Sequence, residues 1–562
     1  MDRETRRLVE EFRRNDASSI ENNLIDELVA GEVDRQEFLR RAAVFGLGAG
    51  TVGLLFRYLG EPELAFGASA LGKAGGTLRV GTVAYNSSLE PYGLREAGSL
   101  GLAGIPGEFL TYTNNQLQVK PWLATSWKPN KDLTVWTFQI RRGVKFHNGK
   151  TLTADDVVAS FKQYLSQKSS QILSALPATM IEPSGVVKTG PYTVQFRLKS
   201  PNNALPFLVS QTTYQAIIQP AAIAARPDTW VSSGMIGTGP FRLKSQNKQR
   251  AELVRFPNYW GGRPPLDGVV VTFYTDPAPM VLALRGGQLD VVVQMSAQQA
   301  RAFKSNSKYT VYAPPTSHHN MFGMRVDREP FRDARVRRAV ALTLNRPDII
   351  NRVLLGAGAL GDDSPFFKGY PSTDPSIQQR KQNVELAKAL LKAAGKEDLK
   401  FTITTHNQFD VPDFAAAVQA AGRQAGIEIG LNVMTYDDYY SAVGGGDYNS
   451  TTPWLNAIAT ITEYGARGVP NLYLTAAYMS NGVWNASKYS NATFDAQARA
   501  YLSAADIASQ RKATKKMAGI LLRDTPVITA YFISFTAASS SKVKNYAADP
   551  ISQIRLAKTS LA

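Results

Sequence analysis

The sequence predicts an α/β fold, and three stretches carry that prediction. Residues 135–165, VWTFQIRRGVKFHNGKTLTADDVVASFKQYL, pass from strand alternation to helical spacing across a tight turn. Residues 401–434 read as strand (FTITT), helix (PDFAAAVQAAGRQAG) and strand (IEIGLNVM), a βαβ unit. A Gly-preceded strand, Gly75-Gly76-Thr77-Leu78-Arg79-Val80-Gly81, opens the folded part of the chain. With 562 residues, 44% hydrophobic and 19% charged, the chain is globular and long enough for two or three domains.

Within residues 135–165, Trp136, Phe138 and Ile140 share one strand face, and Asn148-Gly149 supplies a turn that tolerates positive φ. Thr153 stands at a helix N-cap position with Asp156 three residues on, and Asp155 adds negative charge at the same helix end. Val157, Val158, Phe161 and Leu165 follow on one helical face. These turn and cap roles account for His147, Asp155 and Asp156 without a metal site or an acid/base pair.

Composition excludes several chemistries. The chain has no cysteine, so disulfides, thiolate zinc sites, thiol catalysis and a lipid-bearing lipobox are ruled out. Net charge is +17 and unevenly spread. Residues 1–67 hold 9 Arg and 13 Asp/Glu, leaving 54 basic against 33 acidic residues, or +21, in the remainder. No basic block, aromatic RNA-binding motif or zinc-finger spacing accompanies that charge, so no nucleic-acid partner is expected. The four histidines (His147, His318, His319, His406) form no ligand spacing, and adjacent His318 and His319 point to opposite faces of a strand. No HExxH, nucleophile elbow or Walker loop occurs. The expectation is no enzyme, no catalytic residue, no metal and no cofactor.

Residues 1–70 read as an export signal with a long charged, helical leader whose small apolar face is Leu24, Ile25, Leu28 and Val29. DRQEFLRR precedes the apolar run AAVFGLGAGTVGLLF and then Ala68-Ser69-Ala70, a small-x-small cleavage site. The order resembles a twin-arginine signal, with Arg35, Phe38, Leu39 and Arg40 in register and Gln36 in place of the second arginine. The run falls short of the roughly twenty residues of a membrane span, so cleavage after Ala70 is expected, with an uncleaved anchor as the alternative.

Along the rest of the chain, Tyr85-Asn86 lie at the carboxyl end of the first strand, where open α/β sheets place ligands. Tyr192 to Leu198 alternate as a strand, and Ser200-Pro201 ends it. Gly237-Thr238-Gly239-Pro240-Phe241 makes a sharp turn into a new strand, and no Lys-Ser/Thr helix start follows to make it a phosphate loop. Asp333 caps a helix with Val336, Val340 and Leu344 facing inward and its arginines on a solvated face, and Asn345-Arg346-Pro347 starts another.

GVKFHNGKTLTADDVVASF resembles the signature of the extracytoplasmic solute-binding proteins of family 5, the oligopeptide-, dipeptide- and nickel-type receptors of ABC importers, with Asn148 where the family usually has Asp. Similar elements follow in family order: Pro121-Trp122-Leu123-Ala124-Thr125-Ser126-Trp127, Gly237 to Phe241, Asn258-Tyr259-Trp260-Gly261, Leu266-Asp267-Gly268, Pro330-Phe331-Arg332-Asp333-Ala334-Arg335-Val336, and Asp524-Thr525-Pro526 before a returning strand.

The resemblance implies a periplasmic-binding-protein-like architecture, two α/β lobes joined by hinge-crossing strands plus an extra subdomain. Lobe I would take residues 71–110, 231–312 and 525–562, the subdomain 111–230, and lobe II 313–524. It implies a monomer outside the cytoplasmic membrane that captures a small solute and delivers it to an ABC permease; a tethered sensor and a hydrolase are the alternatives. The solute would be peptide-like, an amino-acid conjugate or an acidic sugar derivative. Expected ligand-binding residues are Tyr85, Asn86, Arg325, Trp454, Asn456 and His406. The family's W-x-x-D-type element, whose aspartate pairs with a peptide α-amine, is matched to residues 453–459, which hold Trp454 and Asn456 but no aspartate. Arg325 stands where many members have Asn, and a guanidinium there could fork onto an acidic group.

Overall fold

The computed structural model describes Glu10, Arg13, residues 19–30 and residues 75–562 other than 87, 95, 116 and 167–179. It divides into two units, Gly75–Thr559 and a smaller one of Met1–Ala74 with Ser560–Ala562. In the smaller unit a helix spans Ser19–Ala30, with Ile25 and Leu28 buried and Val29 exposed. The expected signal residues 35–41, the apolar run and the cleavage site at Ala70 lie outside the described residues.

The large unit begins with β1 (Thr77–Val83), whose Leu78 and Val80 are fully buried. The chain then builds a four-stranded antiparallel sheet from β2 (Ala124–Pro129), β3 (Val135–Ile140), β4 (Ile181–Gly190) and β5 (Thr193–Leu198), in the order β2-β3-β5-β4. Trp136, Phe138 and Ile140 are buried as their alternation requires, and Trp136 and Phe138 pair with Phe196 and Val194 across the strands. Helix α1 (Ala154–Ser166) follows. Its cap is half a capping box: the Asp156 carboxylate accepts from the Thr153 backbone N–H at 2.9 Å, from Lys150 at 2.8 Å and from the Ala221 N–H at 2.9 Å. Asp155 pairs with Lys188.

The chain returns through the hairpin β6 (Phe241–Gln246) and β7 (Arg250–Arg255), then β8 (Gly268–Tyr274), β9 (Val291–Val292) and β10 (Tyr309–Tyr312). It crosses to β11 (His319–Met324) and makes β12 (Lys400–His406), α2 (Val411–Arg423), β13 (Glu428–Met434), α3 (Tyr436–Tyr440), β14 (Ala459–Tyr464) and β15 (Val527–Thr529). β16 (Ala537–Ser540) closes a seven-stranded sheet ordered β10-β16-β9-β1-β8-β7-β6, beside a five-stranded sheet ordered β13-β12-β14-β11-β15. The return crossing falls later than the expected boundary at residue 525, because Val527–Thr529 still pairs with β11. Every residue of β11 is buried, as expected of a strand covered on both faces. One face packs Phe322, Val340, Phe401 and Phe414; the other packs Met321, Tyr464, Tyr473 and Trp484.

Residues 313–318 and 530–536 connect the two sheets and are tied to each other. The Ile533 N–H donates to the His318 carbonyl at 2.7 Å, and the Thr316 hydroxyl donates to the Ile533 carbonyl at 2.7 Å. A second joint gathers the sequence motifs. Buried Glu108 accepts from Trp122 Nε1 (2.9 Å), Tyr259 Oη (2.8 Å), Trp260 Nε1 (2.7 Å) and Thr238 Oγ1 (2.7 Å). Beside it, His147 bonds the backbone of Gly237 and Gly239, and burial lowers its pKa to about 4. Asp333 caps its helix as expected, but Arg337 is not on a solvated face. It is buried and donates to the carbonyls of Phe331, Arg332, Asp524 and Thr525.

Candidate functional site

Strands β12, β13 and β14 run parallel, so their carboxyl ends, with His406, Met434 and Tyr464, form one edge of the five-stranded sheet. The antiparallel register His319↔Tyr464 brings the start of β11 to the same edge. Both inter-sheet connections leave there, and α/β sheets characteristically place ligands at such an edge.

The edge is dense in charge. His318 Nε2 lies 2.7 Å from Glu463 Oε1, off the line of a straight hydrogen bond. Burial alone would lower His318, but Glu463 outweighs it and raises the pKa. Burial likewise works against Glu463, yet His318 holds its carboxyl below the usual range. Asp410, which opens α2, accepts from Asn320 Nδ2 and Tyr531 Oη, both at 2.8 Å. Burial raises its pKa against the Tyr531 bond and the His318 charge. Arg467 follows β14. Its Nη1 donates only to the Gly465 and Ala466 carbonyls, its guanidinium carbon lies 6.0 Å from the centre of the Tyr214 ring, and it pairs with no carboxylate among the described residues. The Arg467 backbone is clamped by Ser317 on the crossing, whose hydroxyl donates to the Arg467 carbonyl at 2.8 Å. Buried Asn320 Oδ1, His406 Nε2 and Arg467 Nε have no hydrogen-bond partner, which leaves capacity the chain itself does not use. The described residues hold no group of three or more His, Asp or Glu that could bind a metal.

This architecture matches known proteins. A model of the bacterial extracellular solute-binding proteins, family 5, matches residues 118–465. The chain belongs to that family. The nickel-binding protein NikA of Staphylococcus aureus is 26% identical over 499 residues, covering 86% of this chain and 94% of that protein. The oligopeptide-binding protein AppA of Bacillus subtilis is 29% identical over 390 residues, covering 64% and 70%. Among solved structures, DppA from Helicobacter pylori in complex with peptide STSA superposes with a TM-score of 0.72 at 22% identity, over 87% of this chain and 98% of that one. The protein is therefore a family 5 solute-binding protein, the substrate-binding component of an ABC importer.

The expected ligand residues of this solute-binding protein fall into three groups. Tyr85 and Asn86 sit at the carboxyl end of β1. Tyr85 is buried against Phe273 with Lys248 5.0 Å from its ring, and Asn86 is exposed. His406 is on the charged edge, fully buried, with Tyr436, Tyr439 and Tyr440 around its ring at 5.2–5.8 Å.

Arg325, Trp454 and Asn456 lie elsewhere. Arg325 follows Met324, which pairs with Ala459 at the start of β14, so it sits at the opposite end of β11 from His319, roughly 20 Å along the strand. Its fork is filled: Nε and Nη2 each donate to Asp327 at 2.7 Å, and Nη1 donates to the Asn456 carbonyl at 3.3 Å. Trp454 is buried in an aromatic cluster, tilted against Tyr440, with Nε1 on the Tyr448 hydroxyl, so its ring offers no free platform. The Asn456 amide donates to the carbonyls of Asn449 and Thr452.

Sequence reasoning missed Asp410, Glu463 and Arg467. The available signal was Glu463, the one acid inside the apolar strand ATITEY, with Arg467 three residues past its end.

Proposed function

We propose that this importer component captures a small amino-acid-like solute outside the cytoplasmic membrane, at the carboxyl edge of the five-stranded sheet. The solute carboxylate would take the Arg467 fork, and its amino group would face Glu463 and Asp410. The observation that carries this reading is the Arg467 guanidinium, held in place by the Gly465 and Ala466 carbonyls and free of any acidic partner among the described residues. In this reading the acidic group expected of the solute is a carboxylate, and Arg467 takes the role first given to Arg325. The AppA and DppA relatives, named for peptides, support a solute with amino-acid chemistry.

The binding cycle needs no chemistry on the solute. The crossings at residues 313–318 and 530–536 are the natural hinge, and closing them would bring the β1 edge with Tyr85 and Asn86 toward the charged edge. The closed, monomeric form would then dock on the permease. Cleavage of an export signal after Ala70 belongs to the same proposal.

Native mass spectrometry of the exported protein would identify carried-over solute, and calorimetry would then compare wild type with Arg467→Met. A charge-assisted fork contributes roughly 1.5–3 kcal/mol, so affinity should fall about ten- to a hundred-fold. An amino-acid-like solute bound equally by both proteins would refute the assignment.

A further inference from the structure

Ten large apolar side chains are exposed among the described residues, and four of them fall between residues 409 and 443: Phe409 (52% exposed), Val433 (45%), Tyr436 (37%) and Val443 (58%). Phe409 and Tyr436 follow the carboxyl ends of the adjacent parallel strands β12 and β13, so the topology sets them on the rim of the charged edge. Exposed apolar groups scattered singly need no explanation, but a cluster beside a polar site does.

The rim is continuous with the site. Tyr436 packs 4.8 Å from Tyr440 and 5.2 Å from the His406 ring, and His406 lies close enough to Glu463 to feel its charge. The backbone adds an independent sign. Phe409 has φ 54°, the left-handed region that a bulky side chain rarely enters. The next residue, Asp410, is pinned by Asn320 and Tyr531, so the surrounding structure holds this conformation and turns an aromatic ring outward at the site. Strain of this kind gathers at ligand clamps.

We infer that the solute carries an apolar, preferably aromatic, group that seats on Phe409 and Tyr436 while its charged end occupies the Arg467 edge. This rests on the amino-acid-like reading of that edge and narrows it to the amphiphilic members. An aromatic group placed there would meet the Phe409 and Tyr436 rings, whereas a polar side chain would lose water without gaining a partner.

The test uses the full mature protein and two matched zwitterion pairs in calorimetry, alanine with phenylalanine and glycyl-alanine with glycyl-phenylalanine. Burying one phenyl group predicts that the aromatic member of at least one pair binds about ten-fold tighter or more. The variants are Phe409→Asn, which tolerates the left-handed backbone, and Tyr436→Ser. Either should reduce that preference to about three-fold or less, and circular dichroism would verify the fold. Binding with no aromatic preference in either pair, or a preference that survives both variants, overturns this inference and leaves the amino-acid-like reading standing. No binding by any of the four overturns both. Unchanged solute preference together with lost transport in the variants would assign the rim to the permease and likewise overturn it.

Discussion

Two carboxylate centres in this solute-binding protein, one buried and one half-buried, are built on opposite principles. At Glu108, four donors converge on two oxygens, and three of the sequence motifs (those holding Trp122, Thr238 and Tyr259-Trp260) supply them. Nothing is left over. At the edge formed by His318, Asp410, Glu463 and Arg467, charges are only partly matched, and several buried polar atoms have no partner. The first centre is a joint, in which motifs distant in sequence are locked together. The second keeps unspent hydrogen-bonding capacity, and that is what a ligand site requires. The motifs that supply the Glu108 donors therefore mark the scaffold, whereas the proposed solute edge is built from residues outside them.

The comparison breaks first if Glu108 proves functional. Glu108→Leu leaves four buried donors without an acceptor and should cost at least about 3 kcal/mol of unfolding free energy in denaturant titration. Solute affinity of the protein that remains folded should stay within about two-fold. Normal stability with lost binding would reverse the roles assigned to the two centres.

A smaller effect sharpens the charged edge. His318 is raised and Glu463 lowered, so their pairing stabilises fully between the ordinary values of 4.5 and 6.5. The contribution fades as pH rises through the elevated His318 value, and again as pH falls through the depressed Glu463 value. The stability difference between wild type and His318→Gln should be largest near pH ~5.5 and shrink by pH ~9. A difference that grows with pH would mean the pair is not charged as described. His147 and His319, both lowered to about 4, oppose this by destabilising the fold below their ordinary 6.5; His147 cancels in the difference, whereas the part of the His319 shift due to the His318 charge does not.

The smallest effects concern the residues that sequence reasoning favoured. Arg325→Met removes a pair with a partly exposed Asp327 and should cost about 1 kcal/mol or less, with affinity within about two-fold of wild type. Trp454→Phe should behave alike in binding and lose only the contact to Tyr448. A ten-fold affinity loss in either would restore the expected site.

Much of the fold was legible because local rules decided it. Alternation placed Trp136, Phe138 and Ile140 inside, and Asp156 bonds back to Thr153 at the start of its helix as the spacing predicted. The site was legible only in part. His406 and Tyr85 could be placed at strand ends from the pattern of β12 and β1. Arg325 could not, because only the antiparallel direction of β11 reveals that it lies at the far end of the sheet. Nor could the sequence show that Asp327, two residues on, fills its fork, or that Ser317 and Arg467, 150 residues apart, share a clamp.

The most direct measurement is a crystal structure of the protein with the solute that mass spectrometry identifies. The solute carboxylate should sit within hydrogen-bonding distance of the Arg467 fork at the His318–Glu463 edge, with Arg325 still on Asp327. Solute density at Arg325, with Arg467 bound only to the Gly465 and Ala466 carbonyls, would contradict the account.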